Sequence, residues 1–153
     1  MTKYIIQILL SVIFLAISSI ASWYEGSEIL EDHWEWENTA HFSHMFNGEV
    51  TNTNDISQLD YFVYSAKIKP TFPFIMIISL LYLIILIGKI VLRNYKHGFD
   101  IFLTILGCLL LLPCLFLFNS PTTGGKVFTL TFGLTGLMCL LFSLGSYLKK
   151  LKD

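Results

Sequence analysis

Residues 72–92 read FPFIMIISLLYLIILIGKIVL, a run of 21 positions interrupted by a single charge, Lys89. An α-helix rises 1.5 Å per residue, so about 20 apolar residues cross the ~30 Å hydrocarbon layer of a bilayer. Helices of soluble proteins rarely stay apolar on every face over such a length. The run therefore predicts a transmembrane helix.

Three further runs have the same character, at residues 4–23, 99–118 and 127–148. Hydrophobic residues make up 54% of the chain, and the mean hydropathy is +0.66, yet the charges concentrate between the runs. These features predict an all-α membrane protein, a four-helix transmembrane bundle that forms one integral membrane domain over residues 1–153. They exclude a separate cytosolic domain.

The basic residues predict the orientation of the bundle in the membrane. Seven of the ten lie on one side of the predicted spans and three on the other, namely Lys3, Lys89, Arg93, Lys96, Lys149, Lys150 and Lys152 against Lys67, Lys69 and Lys126. The excess of basic residues marks the cytoplasmic side. Both termini are therefore predicted to be cytoplasmic, and the loop at residues 24–71 extracellular.

A secretory leader is an alternative for the first run, since Ser19-Ile20-Ala21 has the small-x-small form of a cleavage site. The run is long for a leader, and Trp23 with Tyr24 is typical of the interfacial anchors of an uncut helix. We expect four spans, and cleavage would leave three.

The extracellular loop is predicted to form a small cap over the bundle. Its second half carries a capping box at Ser57-Gln58-Leu59-Asp60, which predicts a helix at residues 58–67 with an apolar face of Leu59, Phe62, Val63 and Ala66. In its first half Trp34 and Trp36 alternate with Glu35 and Glu37, a pattern that favours short strands or irregular structure. A loop of this size without cysteines buries too little apolar area to fold alone, so its aromatics should cover the helix ends, the membrane interface or a partner. Trp34 and Trp36 are the expected interaction residues.

The fourth span carries a stripe of small residues at helical spacing, Thr129, Gly133, Gly136, Ser143 and Ser146. Small residues let a neighbouring backbone approach closely, so Gly133 and Gly136 are predicted to form a packing face. A thinner stripe on the first span, Ser11, Ser18 and Ser22, is the expected partner, within one chain or between chains. A kink is expected at Pro113 in the third span.

Metal binding is a minority interpretation of the loop histidines. His41 and His44 lie at i and i+3, and His33 precedes them. Zinc takes three or four N, O or S ligands, and this spacing supplies only part of such a set. Histidines in an aromatic loop are more often surface groups that form hydrogen bonds. We predict no metal and no cofactor, with these three residues as the candidates if one is present.

Other functions can be ranked down from the residues. The spans carry no acidic residue at mid-depth for proton exchange, and the three cysteines form no Cys-x-x-Cys pair. Gly124-Gly125 is a bare turn and not a phosphate-binding loop. A net charge of −1 argues against nucleic acid. We expect a protein that is not an enzyme.

Three segments resemble a known family, SWYEGS at 22–27, WEW at 34–36 and DISQLDYFVY at 55–64. The family comprises small integral membrane proteins of Bacillus-type bacteria and is classed as a domain of unknown function. The resemblance covers the first two spans and the loop between them. It implies a bacterial plasma-membrane location and supplies no activity.

Two functional classes follow. The first is an accessory or interaction protein in the lipid bilayer, which binds another membrane protein through its extracellular loop and its small-residue helix face. The alternative is a ligand- or metal-responsive, or transport-related, protein that uses the loop or the Pro113 kink. The oligomeric state stays open.

Overall fold

The computed structural model describes the backbone of residues 2–152 and the side chains of residues 2–149. Seven α-helices follow one another along this part of the chain. They are α1 (Thr2–Gly26), α2 (His33–Thr39), α3 (His41–Asn47), α4 (Gln58–Ile68), α5 (Thr71–Val91), α6 (Gly98–Leu117) and α7 (Thr123–Lys152). Short 3-10 turns lie at Ser27–Leu30, Thr53–Asp55 and Leu92–Asn94.

Four of these helices, α1, α5, α6 and α7, are long and apolar enough to cross a membrane. Each coincides with one of the predicted runs, with ends that differ by up to four residues. Helix α6 continues through Pro113 to Leu117. The prediction of an all-helical chain with four membrane-length helices is confirmed.

The long helices form two pairs, α1 with α5 and α6 with α7, and helices from different pairs touch much less. The backbones of the second pair cross closely at two glycines. A Cβ atom on Gly107 would lie 2.9 Å from the carbonyl oxygen of Gly136, and one on Gly136 would lie 3.1 Å from that of Gly107. Gly133 faces the Sγ atom of Cys114, 3.2 Å from where its own Cβ would be. These glycines of α7 therefore pack on α6.

Within the chain, the expected contact between the small residues of the first and fourth spans is not formed. Helix α1 lies along α5, and the Ser11 and Ser18 hydroxyls donate to carbonyl oxygens of their own helix, Gln7 and Phe14, over 2.7 Å each. Small residues permit a close approach to a neighbouring helix but do not select which helix approaches.

Residues 27–70 fold into a compact helical unit between α1 and α5, which we call the head. Its core is a cluster of buried apolar side chains, Ile29, Trp36, Ala40, Ile56, Tyr61 and Tyr64. They come from the first 3-10 turn, from α2 and the residue after it, from the segment before α4, and from α4 itself. A small apolar core thus holds most of the head together.

The short strands expected in the first half of the head are wrong, because α2 and α3 occupy those positions and the described residues contain no strand. Trp36 and Ala40 lie four residues apart and form one buried helical face with Ile29. On a helix, Trp34 and Trp36 are about 200° apart, so one indole lies inside and the other outside. Alternation over four residues was too short a pattern to distinguish strand from helix.

Helix α4 begins where the sequence predicts, since the Ser57 hydroxyl caps it by accepting from the Leu59 N–H over 3.3 Å. The predicted apolar face is wrong. Its buried residues are Asp60, Tyr61, Tyr64 and Ser65, whereas Leu59 is exposed. This face combines core aromatics with polar groups, because Asp60, Tyr64 and Ser65 make hydrogen bonds to other elements.

The head is docked onto the long helices by two close backbone contacts of α4. A Cβ atom on Gly26, at the end of α1, would lie 1.9 Å from the carbonyl oxygen of Tyr61. A Cβ atom on Gly124, in the first turn of α7, would lie 1.7 Å from that of Ala66. Only glycine fits at either point. Helix α4 therefore contacts both pairs of long helices.

Candidate functional site

The buried carboxylate of Asp60 positions α3 on the head. It accepts the backbone N–H groups of Phe42 over 2.9 Å and of Ser43 over 2.7 Å, as well as the Ser43 hydroxyl. These N–H groups belong to the first turn of α3, where a helix has no internal acceptors. The residue that precedes α3, Ala40, has no side chain that could accept them. Asp60 therefore caps α3 from a different helix.

This contact corrects the predicted capping box, in which Asp60 would accept the N–H of Ser57. The Ser57 N–H instead donates to the Ser43 hydroxyl oxygen over 2.7 Å. Asp60 and Ser43 are both fully buried. The capping-box motif therefore predicted the start of α4 correctly, but Asp60 caps α3 and not α4.

The two tryptophans have opposite roles. Trp36 is buried, and its indole N–H donates to the Ile29 carbonyl oxygen over 2.6 Å. Trp34 is 91% exposed. Of the two predicted interaction residues, Trp36 belongs to the core of the head, and Trp34 lies on its surface.

Charged contacts connect α2 and the preceding turn to α4. The Lys67 ammonium pairs with Glu35 and donates to the Thr39 hydroxyl over 2.9 Å, and Lys69 pairs with Glu28 over 2.5 Å. The hydrogen bond from Lys67, reinforced by one from Thr39, holds the pKa of Glu35 below its usual value. The partly buried Lys67–Glu35 pair contributes at most about 1 kcal/mol. These contacts join α2 and the turn before it to α4.

A buried tyrosine of α4 makes a further contact with the residue that precedes α2. The Tyr64 hydroxyl donates to Asp32 over 3.2 Å. Burial, together with the nearby charge of Asp32, raises the pKa of Tyr64 to about 12. Its phenol is therefore protonated throughout the physiological range and remains a hydrogen-bond donor.

Large apolar side chains are exposed on both α2 and α3. Phe42, Met45 and Phe46 project from α3 at exposures of 37%, 79% and 62%, and the rings of Phe42 and Phe46 are stacked 6.5 Å apart. Together with Trp34 we call these three residues the aromatic face. At 100° per residue, Phe42, Met45 and Phe46 fall within about 100° of one another on α3, while Ser43 bonds inward to Asp60. The head core is complete without them.

The three loop histidines make different contacts. The His33 ring packs against Trp36 with ring centroids 4.3 Å apart and planes tilted by 38°, and the ring nitrogens of His44 lie 2.9 Å from the Gly48 carbonyl oxygen and 3.3 Å from that of Trp36. His41 is exposed. Among the described residues, no three His, Cys, Asp or Glu side chains come together as a metal-binding group. His33 and His44 do line one groove, with Glu37 and Glu49.

The sequence contains only a weak signal for what holds the head in place. Gly26 directly after the first apolar run marks a point where a backbone could approach. Gly124, expected in a turn, lies in the first turn of α7. Both glycines contact backbone atoms of α4, and no side-chain pattern predicts such a contact.

One protein family and one relative match the part of the chain that contains the head. The model of a family described as a domain of unknown function, DUF4306, matches residues 5–92, which comprise nearly all of α1, the head and α5. The uncharacterized protein YjdJ of Bacillus subtilis (strain 168) is 39% identical over 82 residues, covering 52% of this chain and 75% of that protein. No solved structure matches the chain.

Proposed function

This chain belongs to the DUF4306 family, and from that premise we propose that it is a multi-pass protein of the bacterial plasma membrane that serves as an accessory or interaction protein, with its head as the recognition element. The described part of the chain supports three components of this proposal, which concern the bilayer, the orientation and the partner.

The outer surfaces of the long helices support a location in the bilayer. Large apolar side chains stand exposed along all of them, for example Leu9 on α1, Ile87 on α5, Leu109 on α6 and Leu141 on α7. A soluble protein rarely leaves such large continuous apolar surfaces in water. Hydrocarbon is the solvent that suits them.

The orientation can be tested by labelling single cysteines in a variant that lacks Cys108, Cys114 and Cys139. With the head extracellular, a membrane-impermeant maleimide should label Thr53→Cys on intact cells and Lys96→Cys only after permeabilisation. The physical basis is the seven-to-three distribution of basic residues, although the side chains of Lys150 and Lys152 lie outside the described residues. The reverse labelling pattern would show that the head is cytoplasmic.

The observation that carries the interaction proposal is the aromatic face. Trp34, Met45 and Phe46 remain largely exposed although the head has its own core. Aromatic residues and methionine are enriched in protein interfaces, where large apolar side chains anchor a partner. We infer that another membrane protein covers this face.

The charge of the head favours a protein over a lipid surface. Residues 24–71 contain nine acidic residues and two lysines. Both lysines are already paired with Glu35 and Glu28. Glu31 and Glu37 are exposed on either side of Trp34 in the sequence. Such a surface is repelled by anionic lipid and attracts a partner whose contact region is basic.

A photoreactive amino acid tests the partner directly. We expect benzoylphenylalanine at Met45 to give one discrete protein adduct in native membranes, and the same group at Asn54, an exposed polar position of the same head, to give none. Adding Phe46→Asp should abolish the adduct because it places a charge in the interface. Adducts to lipid alone, or equal adducts from both positions, would contradict the proposal. A metal or small molecule retained by the purified protein, without a protein adduct, would favour the ligand-responsive alternative.

A further inference from the structure

A groove of about 700 Å³ runs between α1 and α5 at the end of the bundle opposite the head. Apolar side chains line its length, and two cations lie at its end; the described lining residues are Tyr4, Ile5, Ile8, Lys89, Ile90 and Arg93. The groove lies on the outer surface of the α1 and α5 pair, and Ile5 and Ile90 are themselves exposed. The groove thus offers an apolar slot beside two positive charges.

The two cations are placed on one side of the end of α5. Lys89 and Arg93 are four residues apart, so they lie one above the other, with Arg93 in the 3-10 turn that follows the helix. Neither makes an ion pair within the described part of the chain. A third cation, Lys3, lines an adjoining cleft together with Tyr4 and Lys89.

The charged residues that line the groove and the adjoining cleft are all of one sign. None of the described residues that line the groove or the adjoining cleft is acidic. Lys89, Arg93 and Lys3 are all exposed. Three cations close together without acids repel one another, and an anion between them removes that repulsion. Arginine binds the oxygens of a phosphate through a planar fork of donors, and lysine binds them as a point charge.

We propose that this groove binds one anionic phospholipid, with its phosphate between Lys89 and Arg93 and one acyl chain along Ile5, Ile8 and Ile90. The pairing of an apolar slot with a cationic end matches the two parts of such a lipid, and basic pockets between membrane helices are sites of this kind. A free phosphate would use only the cations and leave the apolar slot unfilled. The inference rests on the proposed membrane location and is independent of the partner of the head.

The test uses the full chain, purified in a mild detergent and titrated with phosphatidylglycerol or with phosphatidylcholine, while native mass spectrometry counts the bound lipids. We expect phosphatidylglycerol to bind at least tenfold more tightly than phosphatidylcholine. The double variant Lys89→Gln/Arg93→Gln should bind phosphatidylglycerol about 30-fold more weakly, since each basic residue near a lipid surface is worth about fivefold in affinity. Lys149→Gln, an exposed cation of α7, removes one charge from outside the groove and should change binding less than twofold.

Two further experiments test the apolar slot and the cations of the site separately. Ile8→Trp should fill the slot and weaken phosphatidylglycerol binding while every charge remains. Glycerol 3-phosphate at millimolar concentration should fail to displace the lipid, because it lacks an acyl chain. Equal binding of the two lipids, loss in Lys149→Gln as large as in the double variant, or displacement by glycerol 3-phosphate would each overturn the proposal. A chain that fails to enter the membrane would instead refute the proposed location, and cell fractionation before purification detects that case.

Discussion

Asp60→Ala is expected to unfold the head while the four long helices stay intact. The substitution leaves the N–H groups of Phe42 and Ser43 and the Ser43 hydroxyl without their acceptor. Each buried donor left unpaired costs about 1 to 3 kcal/mol, so the three together should remove roughly 3 to 9 kcal/mol from the free energy of unfolding of the head. Hydrogen exchange in detergent should show α3 unprotected, and added protease should cut the chain between α3 and α4.

Two variants control this experiment. Asp60→Asn keeps one oxygen acceptor but turns an NH2 group toward the remaining donors, so its loss should be intermediate. Glu31→Ala removes an exposed acid from the same head and should leave both readouts close to wild type. If Asp60→Ala and Glu31→Ala behave alike, α3 does not depend on a cap from α4.

Gly124→Ala is expected to separate α7 from α4. The new Cβ atom would lie 1.7 Å from the Ala66 carbonyl oxygen, a distance that no side-chain rotation can relieve because both atoms are fixed to backbone. Overpacking of this kind typically costs about 1 to 3 kcal/mol. Gly26→Ala should act in the same way on α1 and Tyr61, where the distance is 1.9 Å. Thermal unfolding in detergent measures both losses.

Gly145→Ala supplies the matched comparison, since it makes the same chemical change in the same helix, and beyond its own helix backbone no atom of the described residues lies within 4 Å of the added carbon. Alanine favours a helix over glycine by up to about 1 kcal/mol, so this variant should be unchanged or slightly more stable. The two alanine variants of α7 are thus expected to differ in sign. Equal stabilisation by both would mean that α7 and α4 are not in close contact.

The elements predicted from the sequence are those whose signal is local and long. Four apolar runs of about 20 residues are each long enough to form a helix that crosses a bilayer. Ser57 marks the start of α4 because its own hydroxyl caps the helix. The family was also found from short segments, those around Trp23, Trp34 and Asp60, and the match to residues 5–92 confirms it.

The predictions that failed depend on contacts between distant residues. Asp60 lies at the capping-box spacing from Ser57, yet its carboxylate accepts hydrogen bonds from α3, where Ser43 lies 17 residues earlier in the chain. The alternation of Trp34 and Trp36 is compatible with a strand until Ile29 and Ala40 are known to share a core with Trp36. The small residues of α7 were recognised as a packing face, but nothing in the chain specified α6 as their partner. Tertiary contacts determine all three of these features.

The head core also implies an order of events during biosynthesis. All six of its residues fall between Ile29 and Tyr64, so the core is complete before α6 and α7 have been translated. Chains are made from the amino terminus, and units that are finished early fold early. Helix α4 can then act as a preformed surface onto which the nascent α7 docks through Gly124. A chain that ends after α5 contains every residue of the head core, so we expect it to fold its head without the second helical pair.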